Sequence, residues 1–335
     1  MMTQAELVGI VMLFALTFYA LGGGADFGGG VWDLLARGPR TREQRDLIAS
    51  AIGPIWEANH VWLILVIVLL FVAFPAAFSA ISIALHIPLT VMLIGIVLRG
   101  SAFVFRSYDT QRDDVQRRWS RLFAAGSIVS PLMLGVCVGA VASGQIRVDV
   151  ETGVVQTNFF SQWMAPFPFA IGFFVLALFA FLAAVYLAWE AKDPMLKDDF
   201  RQRALWSGIA VAVTAFGSLL LAGDGAPMLR SGLAQSWWAL PFQLLTGAVA
   251  VMTLAALWLR KFHAARVLAI SQVALIIWGW GFSQFPFLVA PNLTFTNSAA
   301  PDNILRSLLI ALAAGAVLLL PSLWYLFRVF KRRED

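Results

Sequence analysis

Nine predominantly apolar stretches, at about 5–33, 52–75, 78–105, 121–143, 166–189, 204–222, 237–259, 265–287 and 304–328, divide the whole sequence. Each approaches or exceeds the roughly 20 residues a helix needs to cross the hydrocarbon core of a bilayer. In lipid a spanning segment must satisfy its own backbone hydrogen bonds, so only helices and closed barrels are available. None of the stretches alternates apolar and polar residues with the period of two that a barrel requires. The sequence therefore predicts an all-α integral membrane protein with nine transmembrane helices, forming a single polytopic domain over residues 1–335.

The basic residues test the count, because Lys and Arg collect in cytoplasmic loops. Of the 24 lysines and arginines, only Arg147, Arg230 and Arg306 fall in connections following an even-numbered span. The other 21 fall after odd-numbered spans or at the ends of those spans, as with Arg37, Arg40, Arg42 and Arg45 after the first. One helix more or fewer would scramble this alternation. The expected topology puts the N-terminus outside and the C-terminus in the cytoplasm. The N-terminal residues lack the basic region of a secretory signal, so they read as a retained first helix. The connections near 144–165 and 288–303 read as ordered turns or short surface helices.

Composition agrees: 60% of residues are hydrophobic and 13% charged, against about 45–50% and 25% in soluble domains. The net charge of +5 sits in membrane-flanking loops, so a nucleic-acid partner is not expected. The single cysteine, Cys137, permits neither an intrachain disulfide nor a cysteine-based metal site.

Ionisable residues inside apolar spans are costly and so are functional candidates. In the first span six glycines occupy residues 22–30, and Asp26 lies among them. Gly24 and Gly28 suit close packing by a neighbouring helix or a ligand. The second span opens with Trp56, Glu57, Asn59, His60 and Trp62. Glu57 and His60 are three residues apart and share a helix face, the parts of a proton relay. An interfacial tryptophan belt with a capping acid is the simpler reading of the same string. Arg99 and Arg106 end the third span. Arg99 lies within the apolar stretch and needs a carboxylate partner, for which Asp26 and Glu57 are available, whereas Arg106 suits snorkelling to headgroups. By the predicted topology Asp26, Glu57 and Arg99 all lie in the cytoplasmic half of the bilayer, a placement suited to drawing protons from that side. The histidines His60, His86 and His263 show no pairing that would ligate haem, and no metal-spaced Cys/His set occurs.

The strings Gly23-x-x-Asp26-x-Gly28, Ile52 to Ile64, Leu98 to Arg106, Trp278 to Asn292 and Ala299 to Asp302 are similar to subunit II of cytochrome bd-type quinol oxidases, a likeness running over nearly the whole chain. The resemblance implies two four-helix bundles plus one peripheral helix. It also implies a haem-free subunit paired with a subunit I that carries two b-type haems and one d-type haem. Quinol would be oxidised and oxygen reduced to water, with a bound quinone, small accessory subunits and lipids all compatible with the family. The family's acids on the cytoplasmic proton path fall on Asp26 and Glu57; the residues themselves add His60 and Arg99 to that path, with Gly24, Gly28, Trp56, Asn59, Trp62 and Arg106 around it. Many relatives carry Asp at the position of Glu57, and further acids where this chain has Gly23 and Val104. Glu57 with His60 suggests the cyanide-insensitive branch. The alternative, a proton-coupled secondary transporter, would also use glycine-interrupted helices and buried ionisable groups.

Overall fold

The computed structural model describes residues 2–52, 56–108, 113–149 and 152–330. Twelve helices account for most of the described chain: α1 (Gln4–Leu34), α2 (Thr41–Ile52), α3 (Trp56–Ala73), α4 (Pro75–Ala84), α5 (His86–Tyr108), α6 (Asp113–Ser143), α7 (Pro166–Glu190), α8 (Pro194–Gly225), α9 (Pro227–Gln235), α10 (Ala239–Trp258), α11 (Phe262–Gln284) and α12 (Asp302–Phe330). Eight are long and apolar enough to cross a membrane. The bent pair α3–α4 makes a ninth crossing if its two pieces count as one. The protein is a multi-pass helical membrane protein.

Local chemistry explains where the helices begin. Thr3 and Glu6 form a reciprocal capping box at the start of α1, with Thr3 N–H donating to Glu6 Oε2 at 2.8 Å and Glu6 N–H to Thr3 Oγ1 at 3.2 Å. Helices α4, α7, α8 and α9 each open with proline in the first turn, where its missing N–H costs least.

The third predicted span needs correction. Phe74, forced off helical geometry by the proline that follows it (φ −137°, ψ 61°), ends α3, and α4 departs at 117°. The helix that crosses next begins at His86, not at 78. The break frees carbonyls that the helix would have used, and the Ala300 N–H bonds to one of them, Ala73 O, at 2.8 Å. The sixth span is also longer than expected, since α8 continues from Pro194 to Gly225. The connections expected as turns or surface helices hold two small antiparallel hairpins, β1 (Arg147–Val148) with β2 (Val155–Gln156) and β3 (Phe287–Val289) with β4 (Leu293–Thr294).

Helix α1 is the hub, packing against α3, α6, α7 and α11. Helix α6 joins α5 to α7, α7 packs along α8, and α10 pairs with α11. Helix α12 touches α1 and α3 and is mostly exposed. One apolar core surrounds Tyr19, Phe27, Phe181 and Phe200. A second, around Phe74, Leu85, Ile146 and Val289, lies at the hairpin end of the molecule.

At the opposite end, α2 uses the spacing 44, 47, 48, 51 to turn one face inward, burying Gln44 and Ile48. Asp199 of α8 holds it there. Arg40 Nε and Nη2 donate to the two Asp199 oxygens at 2.9 and 2.6 Å, and Gln44 Nε2 donates to Oδ2 at 3.0 Å. Gln44 Oε1 in turn accepts from Arg203 Nη2 at 2.6 Å. The carboxylate draws the half-exposed Arg40 guanidinium above its ordinary pKa through that hydrogen bond. Asp199→Asn is expected to lower the melting temperature of the purified protein by a few degrees and to expose the α1–α2 connection to protease. An unchanged melting curve and cleavage pattern would show that α2 is held by its apolar face alone.

Candidate functional site

Four elements, α1, α3, α5 and α6, enclose a polar cluster inside the bundle. Asp26, 5% exposed, sits on α1. Asn59 of α3, 3% exposed, donates Nδ2–H to Asp26 Oδ2 at 2.5 Å. The closeness of the two helices comes from Gly22, where any Cβ would overlap the Asn59 side chain. Arg99 of α5 reaches in from the other side and is 2% exposed.

Arg99 is held on several sides. Its guanidinium carbon lies 4.8 Å from the centre of the Phe27 ring and 5.2 Å from that of Phe123, so it is sandwiched between two aromatic faces. Nε donates to Ser127 Oγ at 3.1 Å, and that hydroxyl donates to Phe123 O at 2.7 Å. Among the described residues Nη2 finds no acceptor. Asp26 and Tyr19 lie within electrostatic reach of Arg99. The half-buried His60 stands beside Tyr19 and Phe27, each ring centre 6.0 Å from its own. A buried carboxylate, an amide, an imidazole, a phenol and a fixed cation thus share one pocket of the bundle, where a mobile proton has groups to occupy.

Of the residues proposed from sequence, Asp26, Asn59, His60 and Arg99 are brought together. Glu57 is exposed near the start of α3. Asp26 is bonded by Asn59, which the sequence places only around the path. Gly24 and Gly28 face α7: a Cβ on Gly24 would meet the Phe179 ring at 2.6 Å, and one on Gly28 would overlap the Phe179 carbonyl. Trp62 stacks on Phe18 with ring centres 4.7 Å apart. The side chains of Trp56 and Arg106, and residues Gly53 and Pro54, lie outside the described residues. Sequence reasoning missed Tyr19 and Ser127. Tyr19 lies seven residues before Asp26, hence on the same face of α1, and that spacing was the available signal.

The histidines are dispersed. His86 Nδ1 lies 2.9 Å from Ile83 O near the hairpin end, and His263 stands 6.5 Å from the Trp189 ring. Among the described residues no three His, Cys, Asp or Glu side chains cluster closely enough to hold a metal.

Next to the cluster is a cavity of about 600 Å³, bounded by α1, α2, α3, α7, α11 and α12. Asp26 and Asn59 line it. Tyr186, Glu190 and Arg266 also line it.

The family model for cytochrome bd terminal oxidase subunit II matches residues 4–330. The putative cytochrome bd menaquinol oxidase subunit II of Bacillus subtilis is 21% identical over 97% of this chain and 95% of its own length. The cytochrome bd-I ubiquinol oxidase subunit 2 of Escherichia coli K12 is 24% identical over 98% and 94%. A chain in the structure of bd oxidase from Geobacillus thermodenitrificans shares the fold, with a TM-score of 0.79 and 20% identity over 98% of this chain and 99% of that one.

Proposed function

This chain belongs to the cytochrome bd terminal oxidase subunit II family and is thus a quinol oxidase subunit, and we propose that it carries protons from the cytoplasm through the Asp26 cluster towards a haem-bearing subunit I. The observation that carries the proposal is a carboxylate, Asp26, buried within a helix long and apolar enough to cross a membrane and bonded to Asn59, with Arg99 fixed close by between two aromatic rings. Such a charge is expensive in lipid and is kept where it serves transport of ions or protons.

The end of the molecule carrying α2 faces the cytoplasm in this reading, as the basic residues there require, and the N-terminus lies outside a bacterial inner membrane. The single polytopic domain pairs with subunit I as a heterodimer. Two b-type haems and one d-type haem in subunit I supply quinol oxidation and the reduction of oxygen to water. This chain supplies no haem ligand. Its part is to dock, to shape the shared interior and to hold protons. Asp26 accepts a proton, Asn59 fixes the carboxylate, and Arg99 keeps a positive charge in place so that the proton is taken up and released without an unpaired anion in lipid. His60 and Tyr19 continue the polar surface. Glu57, exposed near the same end, is a collecting group.

The test is oxygen consumption by the purified two-subunit complex with Asp26→Asn or Glu57→Gln. Asp26→Asn is expected to slow turnover by about 10²-fold, the scale of losing a positioned proton-transfer group, with haem content unchanged. Glu57→Gln is expected to slow it less. Full turnover by an intact Asp26→Asn complex would remove the cluster from the proton path.

A further inference from the structure

The 600 Å³ cavity is walled by two helix faces with the same spacing. Helix α1 contributes Gly22, Ala25, Asp26 and Gly29, and α7 contributes Ala183, Tyr186, Leu187 and Glu190. On each helix these positions form one stripe, offset by three, four and seven residues. The α1–α7 contacts fix the register. Trp32 Nε1 donates to Ala180 O at 2.7 Å, and Gly28 abuts Phe179 and Ala183. Glu190 is the last residue of α7, so it lies about 10–15 Å beyond the level of Gly28 at 1.5 Å per residue. The α7 stripe therefore runs from the level of Asp26 to the helix end beside α2.

Glu190 is not explained by helix electrostatics, since a carboxylate at a helix C-terminus meets the negative end of the macrodipole. Arg266 of α11 stands at the same place, stacked 4.3 Å from the Trp189 ring centre and 5.4 Å from that of Tyr186. Among the described residues lining the cavity, the titratable groups are Asp26, Tyr186, Glu190 and Arg266. Carboxylates, an amide, a phenol and a guanidinium along one cavity give water the two to four polar partners it needs to reside there.

We propose that Glu190 is a second proton-collecting group beside Glu57, at the mouth of a water-filled inlet between α1 and α7 that delivers to Asp26. This rests on the proton-carrying reading of Asp26 above. A proton from solvent neutralises the Glu190 carboxylate, passes along water past the Tyr186 hydroxyl, and protonates Asp26. Glu190 regains its charge, and no electron moves. The rest of the wall, including Phe18, Leu21, Ile270, Leu320 and Leu323, is apolar.

The experiment uses the complex with its partner subunit in lipid vesicles. Proton uptake is followed with a pH dye while the fully reduced complex reacts with oxygen, and haem oxidation is recorded in parallel by absorbance. Glu190→Gln, and Ala25→Phe to fill the cavity, are each expected to slow uptake about tenfold, less than the full effect of a proton-transfer group because solvent has other ways in. Glu190→Asp, which keeps the carboxylate, is expected to stay near the parent rate. The double variant Glu190→Gln/Ala25→Phe is expected to be no slower than the slower single one, since both act on one route. Normal uptake in both single variants would overturn the proposal, as would effects that multiply. It would also fall if Ala25→Phe slowed turnover only by expelling a co-purified lipid or quinone while Glu190→Gln left uptake unchanged. If Asp26→Asn were slow and both inlet variants fast, the Asp26 reading would stand without this inlet. If Asp26→Asn were fast as well, both would fall.

Discussion

Gly28→Ala is expected to remove most of the assembled protein from the membrane. The added methyl would overlap the backbone carbonyl of Phe179 and press on the Ala183 side chain. A backbone cannot rotate aside as a side-chain tip can, so α1 and α7 must separate. That would disturb the Trp32 to Ala180 hydrogen bond and the core around Phe181. Overpacking of this kind costs about 1–3 kcal/mol or more, whereas alanine's advantage over glycine in a helix is at most about 1 kcal/mol, so the clash wins. At Gly217 and Gly247 an added methyl would meet nothing within 4 Å, and alanine there is expected to be neutral or mildly stabilising. Membrane-fraction yield and melting temperature would check the contrast. Equal behaviour of Gly28→Ala and Gly247→Ala would mean that the α1–α7 contact is not what holds the hub.

Arg99→Met is expected to destabilise the protein by about 3–5 kcal/mol, the scale of leaving a buried charge uncompensated. Methionine can fill the space between Phe27 and Phe123 but leaves Asp26 without its nearby cation. Adding Asp26→Asn should recover a large part of the loss, because a neutral amide no longer needs that charge. Arg99→Lys is expected to rescue only weakly: an ammonium lacks the flat surface that lies against two rings and the fixed Nε–H that reaches Ser127 Oγ. Thermal unfolding of the four variants checks this as a double-mutant cycle. Strictly additive losses would show that Asp26 and Arg99 are energetically independent.

Much of this protein is set by residue order alone. The number and length of the apolar segments, together with loop arginines alternating between sides, are enough to specify a multi-pass helical protein, because lipid leaves the backbone so few options. The same chemistry marked Asp26 and Arg99, since a charge in an apolar run is conspicuous. Tertiary structure decided what these residues meet. Helical spacing says which side chains share a face, but not how that face is turned about the helix axis. Close packing sets that rotation. It put Gly24 and Gly28 against α7, turned Asp26 towards Asn59, and left Glu57 exposed. The break at Pro75 was written in the sequence, yet its angle depends on what receives the freed carbonyls, here the Ala300 N–H from a distant loop. Nothing in the residue order sets Glu190 apart from other acids near helix ends. Only the register of α1 against α7 lines it up with Asp26 along one cavity.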